Sequence, residues 1–148
     1  RGSDVFCGSA GSLSIAVVEG YFGIKLKKDS LSIEPKLGTD SGKIHIYQPT
    51  NDIFVAYEYI FDSNKNIITF KYNSNFSGKG AVKILIPQLI LKNESIRPII
   101  LAIRKDGQNP IFQTDLNNED VFVTIRTDFN NHTLEISIQS PDYSLPTE

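Results

Sequence analysis

The sequence has a single cysteine, no methionine and no tryptophan. One cysteine, Cys7, excludes an internal disulfide framework and a thiolate metal cage, and leaves the redox compartment open. The lack of tryptophan weighs against a broad sugar-stacking platform. The lack of methionine, at position 1 as elsewhere, leads us to expect a piece of a longer polypeptide, with Arg1-Gly2-Ser3 read as a tag remnant outside the fold argument. No apolar run approaches the roughly 20 residues that span a bilayer, and nothing resembles a signal peptide. The compartment stays open, with the cytoplasm slightly favoured. Charge of one sign is also scarce: the formal net charge is −2, which argues against a nucleic-acid or anionic-membrane partner, since both call for a basic patch. The two histidines, His45 and His132, sit in strand-like alternations without metal-ligand spacing. They read as structural sheet histidines, so no metal or cofactor is expected.

What is present is ordinary globular material: 148 residues, 40% hydrophobic and 22% charged. A chain of this size buries about 70% of its unfolded surface around one core. From Ser9 to Phe22 the apolar residues Leu13, Ala16, Val17, Gly20 and Tyr21 recur at helical spacing. Ser9 or Ser12 caps the start, and Gly23 is a natural stop. Ile15, Val18 and Phe22 fall off that stripe, so the helix is apolar nearly all round, the pattern of one buried on most sides.

After Gly23 the period becomes 2. Ile24–Lys27 and Leu31–Ile33 alternate across a Lys28-Asp29-Ser30 turn, and Lys43–Tyr47 alternates before Gln48-Pro49. Ile53–Phe61 and Asn66–Tyr72 flank Asp62-Ser63-Asn64-Lys65, a hairpin signal. Gly80–Ile86 ends at Pro87. Further strands are expected at Ile99–Arg104, Pro110–Thr114, Val121–Thr127 and His132–Ile138. Arg104–Gly107 and Asp128–Asn131 are expected as turns of the later hairpins. About ten short strands with turn signals every 8 to 12 residues predict an antiparallel sandwich.

Candidate chemistry is thin. Paired carboxylates would serve glycosidic or general acid–base work, but nothing in the spacing of Asp4, Asp52, Glu58 and Asp62 makes two converge. Glu19, in the apolar helix, needs a partner there. Gly8-Ser9-Ala10-Gly11 before a helix is either an anion site, with backbone N–H groups and the helix dipole aimed at a phosphate or sugar oxygen, or simply a helix start. Cys7 has no histidine close in sequence to activate it. The sequons at Asn75, Asn93 and Asn131 are what an asparagine-rich chain gives by chance. Tyr47, Tyr57, Tyr59 and Tyr72 fit either sugar stacking or cross-strand sheet pairs.

Three stretches taken together carry a resemblance: Cys7-Gly8-Ser9-Ala10-Gly11, then Glu19-Gly20-Tyr21-Phe22-Gly23-Ile24, then Leu31-Ser32-Ile33-Glu34-Pro35. Their order and spacing resemble a motif of inverting carbohydrate phosphorylases of the cellobiose phosphorylase type, and of related glycosidases with an (α/α)6 barrel. That motif reads Thr-Gly-Ser/Thr-Ala-Gly-Trp, an apolar helix ending in Gly-Ile or Gly-Leu, and a strand pair closing at proline. Val82–Pro87 is also similar to a common strand of the sandwiches in such enzymes. Here Cys7 replaces the threonine hydroxyl and Ser12 stands where an aromatic is usual.

The resemblance implies that residues 1–23 are the last barrel helix with its glycine-rich entry turn, that 24–140 are a β-sandwich, and that 141–148 are a loose tail. The expected fold is therefore mainly β, an antiparallel sandwich preceded by one N-terminal α-helix. It further implies that the catalytic acid lies upstream, so no catalytic residue is expected here. Cys7, Gly8 and Ser9 would contact substrate or phosphate, and the partners would be the parent enzyme's barrel and an oligosaccharide. The expected function is that of a C-terminal fragment of a glycoside hydrolase- or phosphorylase-like enzyme, not catalytic by itself. A free-standing carbohydrate-binding or adhesion-type sandwich is the alternative, and it calls for an exposed tyrosine strip.

Overall fold

The computed structural model describes residues 20–27, 29–87, 89–91, 94–96, 99–118 and 120–139. Its strands follow the alternation of the sequence: β1 (Ile24–Lys27), β2 (Ser30–Ile33), β3 (Gly42–Gln48), β4 (Ile53–Asp62), β5 (Ile67–Ser74), β6 (Gly80–Ile86), β7 (Leu89–Leu91), β8 (Glu94–Ile96), β9 (Ile99–Lys105), β10 (Gln113–Asn117), β11 (Asp120–Thr127) and β12 (His132–Gln139). Two five-stranded sheets form. The first has the order β1-β2-β6-β11-β10, the second β3-β4-β5-β12-β9, and β7 and β8 pair apart from both. All pairings are antiparallel except β2 with β6, which runs parallel through Ser32↔Ala81 and Ile33↔Val82. The fold is a β-sandwich.

Its interior is the apolar half of each alternation. Ile24, Leu31, Ile33, Val82, Ile84, Val123 and Ile125 of the first sheet face Val55, Ile68, Phe70, Leu134 and Ile136 of the second, all buried. Period-2 alternation places one set inside and the intervening polar residues outside, so a one-residue slip would invert both faces. Aromatic rings fill the second sheet's inner face. Phe70 lies 5.0 Å from Tyr57 and 5.3 Å from Tyr72, ring centre to ring centre. Each buried phenol finds a partner, as burial requires. Tyr57 donates to the Phe22 carbonyl at 2.7 Å, Tyr59 donates to that of Gly38 at 2.7 Å, and Tyr72 shares a hydrogen bond with the Thr127 hydroxyl at 2.9 Å. Burial pushes the Tyr57 and Tyr59 hydroxyls well above the ordinary phenol range, and that of Tyr72 up to about 12.

Local signals explain several turns. The β4–β5 hairpin closes as Asp62 accepts hydrogen bonds from the Asn64 and Lys65 amides, and Asn66 takes a left-handed φ of 54°, a conformation asparagine tolerates. Gly80 stands where β6 meets β2 so closely that a Cβ would lie 1.8 Å from the Leu31 carbonyl oxygen.

The structure differs from the sequence expectations in three places. Arg104–Gly107 does turn the chain, with Lys105 and Gln108 exchanging both backbone hydrogen bonds, but neither it nor Asp128–Asn131 joins two neighbouring strands of one sheet. β9 pairs with β12 and β10 with β11, so these segments carry the chain from one sheet to the other. Buried Phe129 holds the second crossover against the core, and a turn signal alone cannot say which sheet receives the next strand. The strand expected at Pro110–Thr114 lies instead at Gln113–Asn117, and the β7–β8 pair was not anticipated. Every residue of β10 is exposed, so it carries no alternation to read. Most of the expected Ser9–Phe22 helix lies outside the described residues. Gly20 is helical, and Tyr21 and Phe22 turn toward the sandwich.

Candidate functional site

A concavity lies on the outer face of the second sheet. Cross-strand register stacks the outward residues into rows: Lys43–Glu58–Lys71, His45–Ala56–Asn73, and Tyr47 beside Phe54. Ala56, between larger neighbours, forms the floor. Around it opens a depression of about 510 Å³, lined also by Asn131 at the start of β12. The His45 ring stacks on Phe54 at 5.5 Å with 7° between planes, forming one wall. Tyr47 donates to Asp52 at 2.6 Å, which raises the exposed phenol above its ordinary range through that hydrogen bond first and burial second. Asn75 braces the rim, its amide nitrogen on the Asp52 carbonyl and its oxygen accepting from the Phe54 amide. Both ends of the amide are engaged, so this sequon is tied into the fold.

Such a groove can exchange hydrogen bonds with a hydroxyl-rich ligand through ammonium, carboxylate and amide groups in alternation. Among the described residues its lining shows no carboxylate pair of the kind glycosidic cleavage uses. Glu58 is the carboxylate on its lining, and Asp62, four residues along the same strand, stands about 13 Å away by strand rise, beyond the spacing of a catalytic pair.

A second cluster was not foreseen. His132 opens β12 with Nδ1 2.6 Å from Asp106 and Nε2 2.6 Å from Asp128. A ring with hydrogen on both nitrogens satisfies both carboxylates; a neutral ring leaves one facing a lone pair. Asp106 also accepts from the Thr133 amide, and Asp128 from that of Asn130. The Thr133 amide, more than His132, holds the Asp106 carboxyl below the usual range; for Asp128 the His132 hydrogen bond comes first. The cluster ties the turn after β9 to the crossover before β12. Its ring nitrogens are fully engaged, so its role is structural. The only sequence signal was Asp128 four residues before His132, because Asp106 arrives through the β9–β12 pairing.

The sign of the pH dependence follows. Folded-state pKa values below the unfolded values stabilise the fold above the unfolded carboxylate pKa of about 3.9, and that contribution is lost as pH falls through the lower folded values. Asp128→Asn is therefore expected to flatten the loss of Tm below pH 4. An acid limb identical to that of the parent chain would show that the cluster does not couple to folding.

Cys7, Gly8 and Ser9 lie outside the described residues, as do Asp4 and Glu19. Asp52 and Asp62 cap turns at opposite ends of β4, so the structure brings no two of Asp52, Glu58 and Asp62 together. Among the described residues these tyrosines form no exposed strip: Tyr57, Tyr59 and Tyr72 are 3%, 1% and 1% exposed, against 55% for Tyr47. Among the described residues no group of three or more His, Cys, Asp or Glu is arranged to hold a metal ion, and no helix is long and apolar enough to cross a membrane.

No protein-family model matches this chain, and no curated protein matches its sequence. Solved structures do match. An α-L-rhamnosidase from Dictyoglumus thermophilum aligns with 86% of this chain at a TM-score of 0.58 and 12% identity. The two share a β-sandwich fold. The match takes up 13% of the rhamnosidase chain, so the sandwich is a small part of that protein. A GH31 dextranase from Flavobacterium johnsoniae aligns with 75% of this chain and 17% of its own, at a TM-score of 0.45 and 11% identity. Both neighbours are glycoside hydrolases. The finer resemblance, to the cellobiose phosphorylase type, is not shown by these matches. It stands on residues 7–35, of which 7–19 lie outside the described residues.

Proposed function

We propose that this chain is a non-catalytic β-sandwich domain of a glycoside hydrolase-like enzyme, where it buttresses a catalytic barrel lying earlier in the same polypeptide. The observation that carries the reading is the rhamnosidase match, which takes in 86% of this chain but 13% of its counterpart. Among the described residues Glu58 stands alone as a carboxylate on the groove lining, and the Asp106 and Asp128 carboxylates are both engaged by His132, which agrees with it. In this reading the Cys7-Gly8-Ser9 turn sits at the active-site rim and contacts substrate or phosphate through backbone N–H groups. Cys7 in place of a threonine hydroxyl favours hydrolysis over phosphorolysis.

The test is to express the polypeptide encoded upstream with and without this chain and to assay aryl glycosides. The sandwich is expected to be needed for a soluble, active barrel, with at least a tenfold loss of activity on its removal. An upstream region without glycosidase or phosphorylase activity in either form overturns the proposal. The free-standing carbohydrate-binding reading draws support from the groove around Ala56, whereas the buried tyrosines count against it.

A further inference from the structure

On the outer face of the first sheet the cations gather at one end, away from Asp115 and Asp120, which the register places with Phe122 at the other end of the same face. Register aligns Lys25, Ser32, Ala81 and Arg126 in one row across β1, β2, β6 and β11. At strand spacings of about 4.8 Å the two cations stand about 14 Å apart, across a floor of small side chains. Lys27 lies two residues along from Lys25, and Lys83 two along from Ala81, so the floor is ringed by positive groups. Lys25, Lys27 and Arg126 are exposed, and among the described residues none has a carboxylate within ion-pairing distance. Lys83 rests its ammonium 4.6 Å from the centre of the Phe122 ring. Glu34, beside Lys83 on this face, is shared with Lys36 at 3.8 Å. On the second sheet the charges instead alternate in sign, as in the Lys43–Glu58–Lys71 row.

We propose that this basic patch binds an anionic polysaccharide, one with carboxylates repeated along the chain. Small residues at the centre let a flat polymer lie against the sheet, and the surrounding cations meet its charges without displacing protein ion pairs. A nucleic acid fits less well. The Phe122 ring is covered by Lys83, so the face offers no free aromatic surface for base stacking. An acidic protein partner would call for an aromatic or arginine anchor in an apolar pocket, which this open face does not offer. The choice of a polysaccharide rests on the glycoside hydrolase-domain reading; the anion-binding face rests on geometry alone.

The test measures binding of the full 148-residue chain to polygalacturonate and to its fully methyl-esterified, uncharged form, with a single-stranded oligodeoxynucleotide as a third ligand. We expect saturable binding to polygalacturonate, none to the ester, and a loss of about tenfold between about 50 and 200 mM salt. The double variant Lys25→Gln/Arg126→Gln should weaken binding by about tenfold with Tm unchanged, while Lys65→Gln/Arg104→Gln, exposed on the other sheet and outside the groove around Ala56, should leave it within about twofold. Equal binding to the ester, no binding at low salt, or equal losses from both variant pairs overturns the proposal. Tighter binding of the oligodeoxynucleotide, lost in Lys25→Gln/Arg126→Gln, overturns the choice of polysaccharide. Either failure leaves the upstream-barrel assay free to succeed, so the two readings fail separately.

Discussion

Phe70→Ala is expected to destabilise the fold by about 3–5 kcal/mol, the range for emptying an aromatic site in a packed core. Phe70 is fully buried near the middle of β5, flanked in register by Tyr59 on β4 and Leu134 on β12. Its ring contacts Tyr57, Tyr59 and Tyr72, so truncation removes the centre of the aromatic layer rather than its edge. Those tyrosines are held by hydrogen bonds to Phe22, Gly38 and Thr127 and are poorly placed to collapse into the gap, which puts the cost toward the upper end of the range. Against a total stability of about 5–15 kcal/mol, such a loss leaves a marginal domain. Urea unfolding should show a lower midpoint with an unchanged slope. A loss below about 1 kcal/mol would mean that this ring is not at the core.

Gly23→Ala is expected to be nearly as costly, for reasons of backbone rather than burial. Gly23 has a φ of 70°, and a Cβ there would lie 1.8 Å from the Glu34 carbonyl oxygen. The left-handed conformation alone costs a non-glycine residue about 1–2 kcal/mol. The overlap with fixed backbone adds a strain of about 1–3 kcal/mol. The Gly23 carbonyl also accepts the Glu34 amide at 2.8 Å, and the Tyr21 carbonyl accepts that of Lys36 at 3.1 Å, so this glycine is the joint at which the preceding segment enters the sandwich. Gly38 serves as the control. Its φ is 65°, but nothing lies within 4 Å of an added Cβ. Gly38→Ala should therefore show only the conformational part of the cost. Equal shifts in Tm for the two variants would rule out the close approach at Gly23.

These two positions mark how far the sequence could be read. Gly23 was legible as a helix stop, since the change of period falls there, but its contact with Glu34 depends on the β1–β2 pairing and the chain's turn past Pro35. The inward position of Phe70 follows from alternation in β5. Tyr57 and Tyr59 enclose it from the neighbouring β4, but Leu134 comes from β12, more than sixty residues further along. Strands with apolar alternation were visible; β10, exposed throughout with Leu116 its one apolar residue, was not. Turn chemistry identified where the chain bends at Arg104–Gly107 and Asp128–Asn131, but not that each bend changes sheet.

The same limit applies to the sites. His132 meets Asp106 only because β9 and β12 pair. The net charge conceals the basic patch, because strand alternation gathers Lys25, Lys27, Lys83 and Arg126 at one end of a face whose other end carries Asp115 and Asp120. The groove around Ala56 depends on which small residue stands between His45 and Asn73, a matter of register.

The central claim is that this sandwich performs no glycoside chemistry of its own. The direct measurement is an assay of the purified chain against aryl glycosides and oligosaccharides, with and without inorganic phosphate. No turnover above the uncatalysed rate is the result expected. Turnover that is abolished by Glu58→Gln, with the fold intact, would contradict the claim and make the groove on the second sheet an active site.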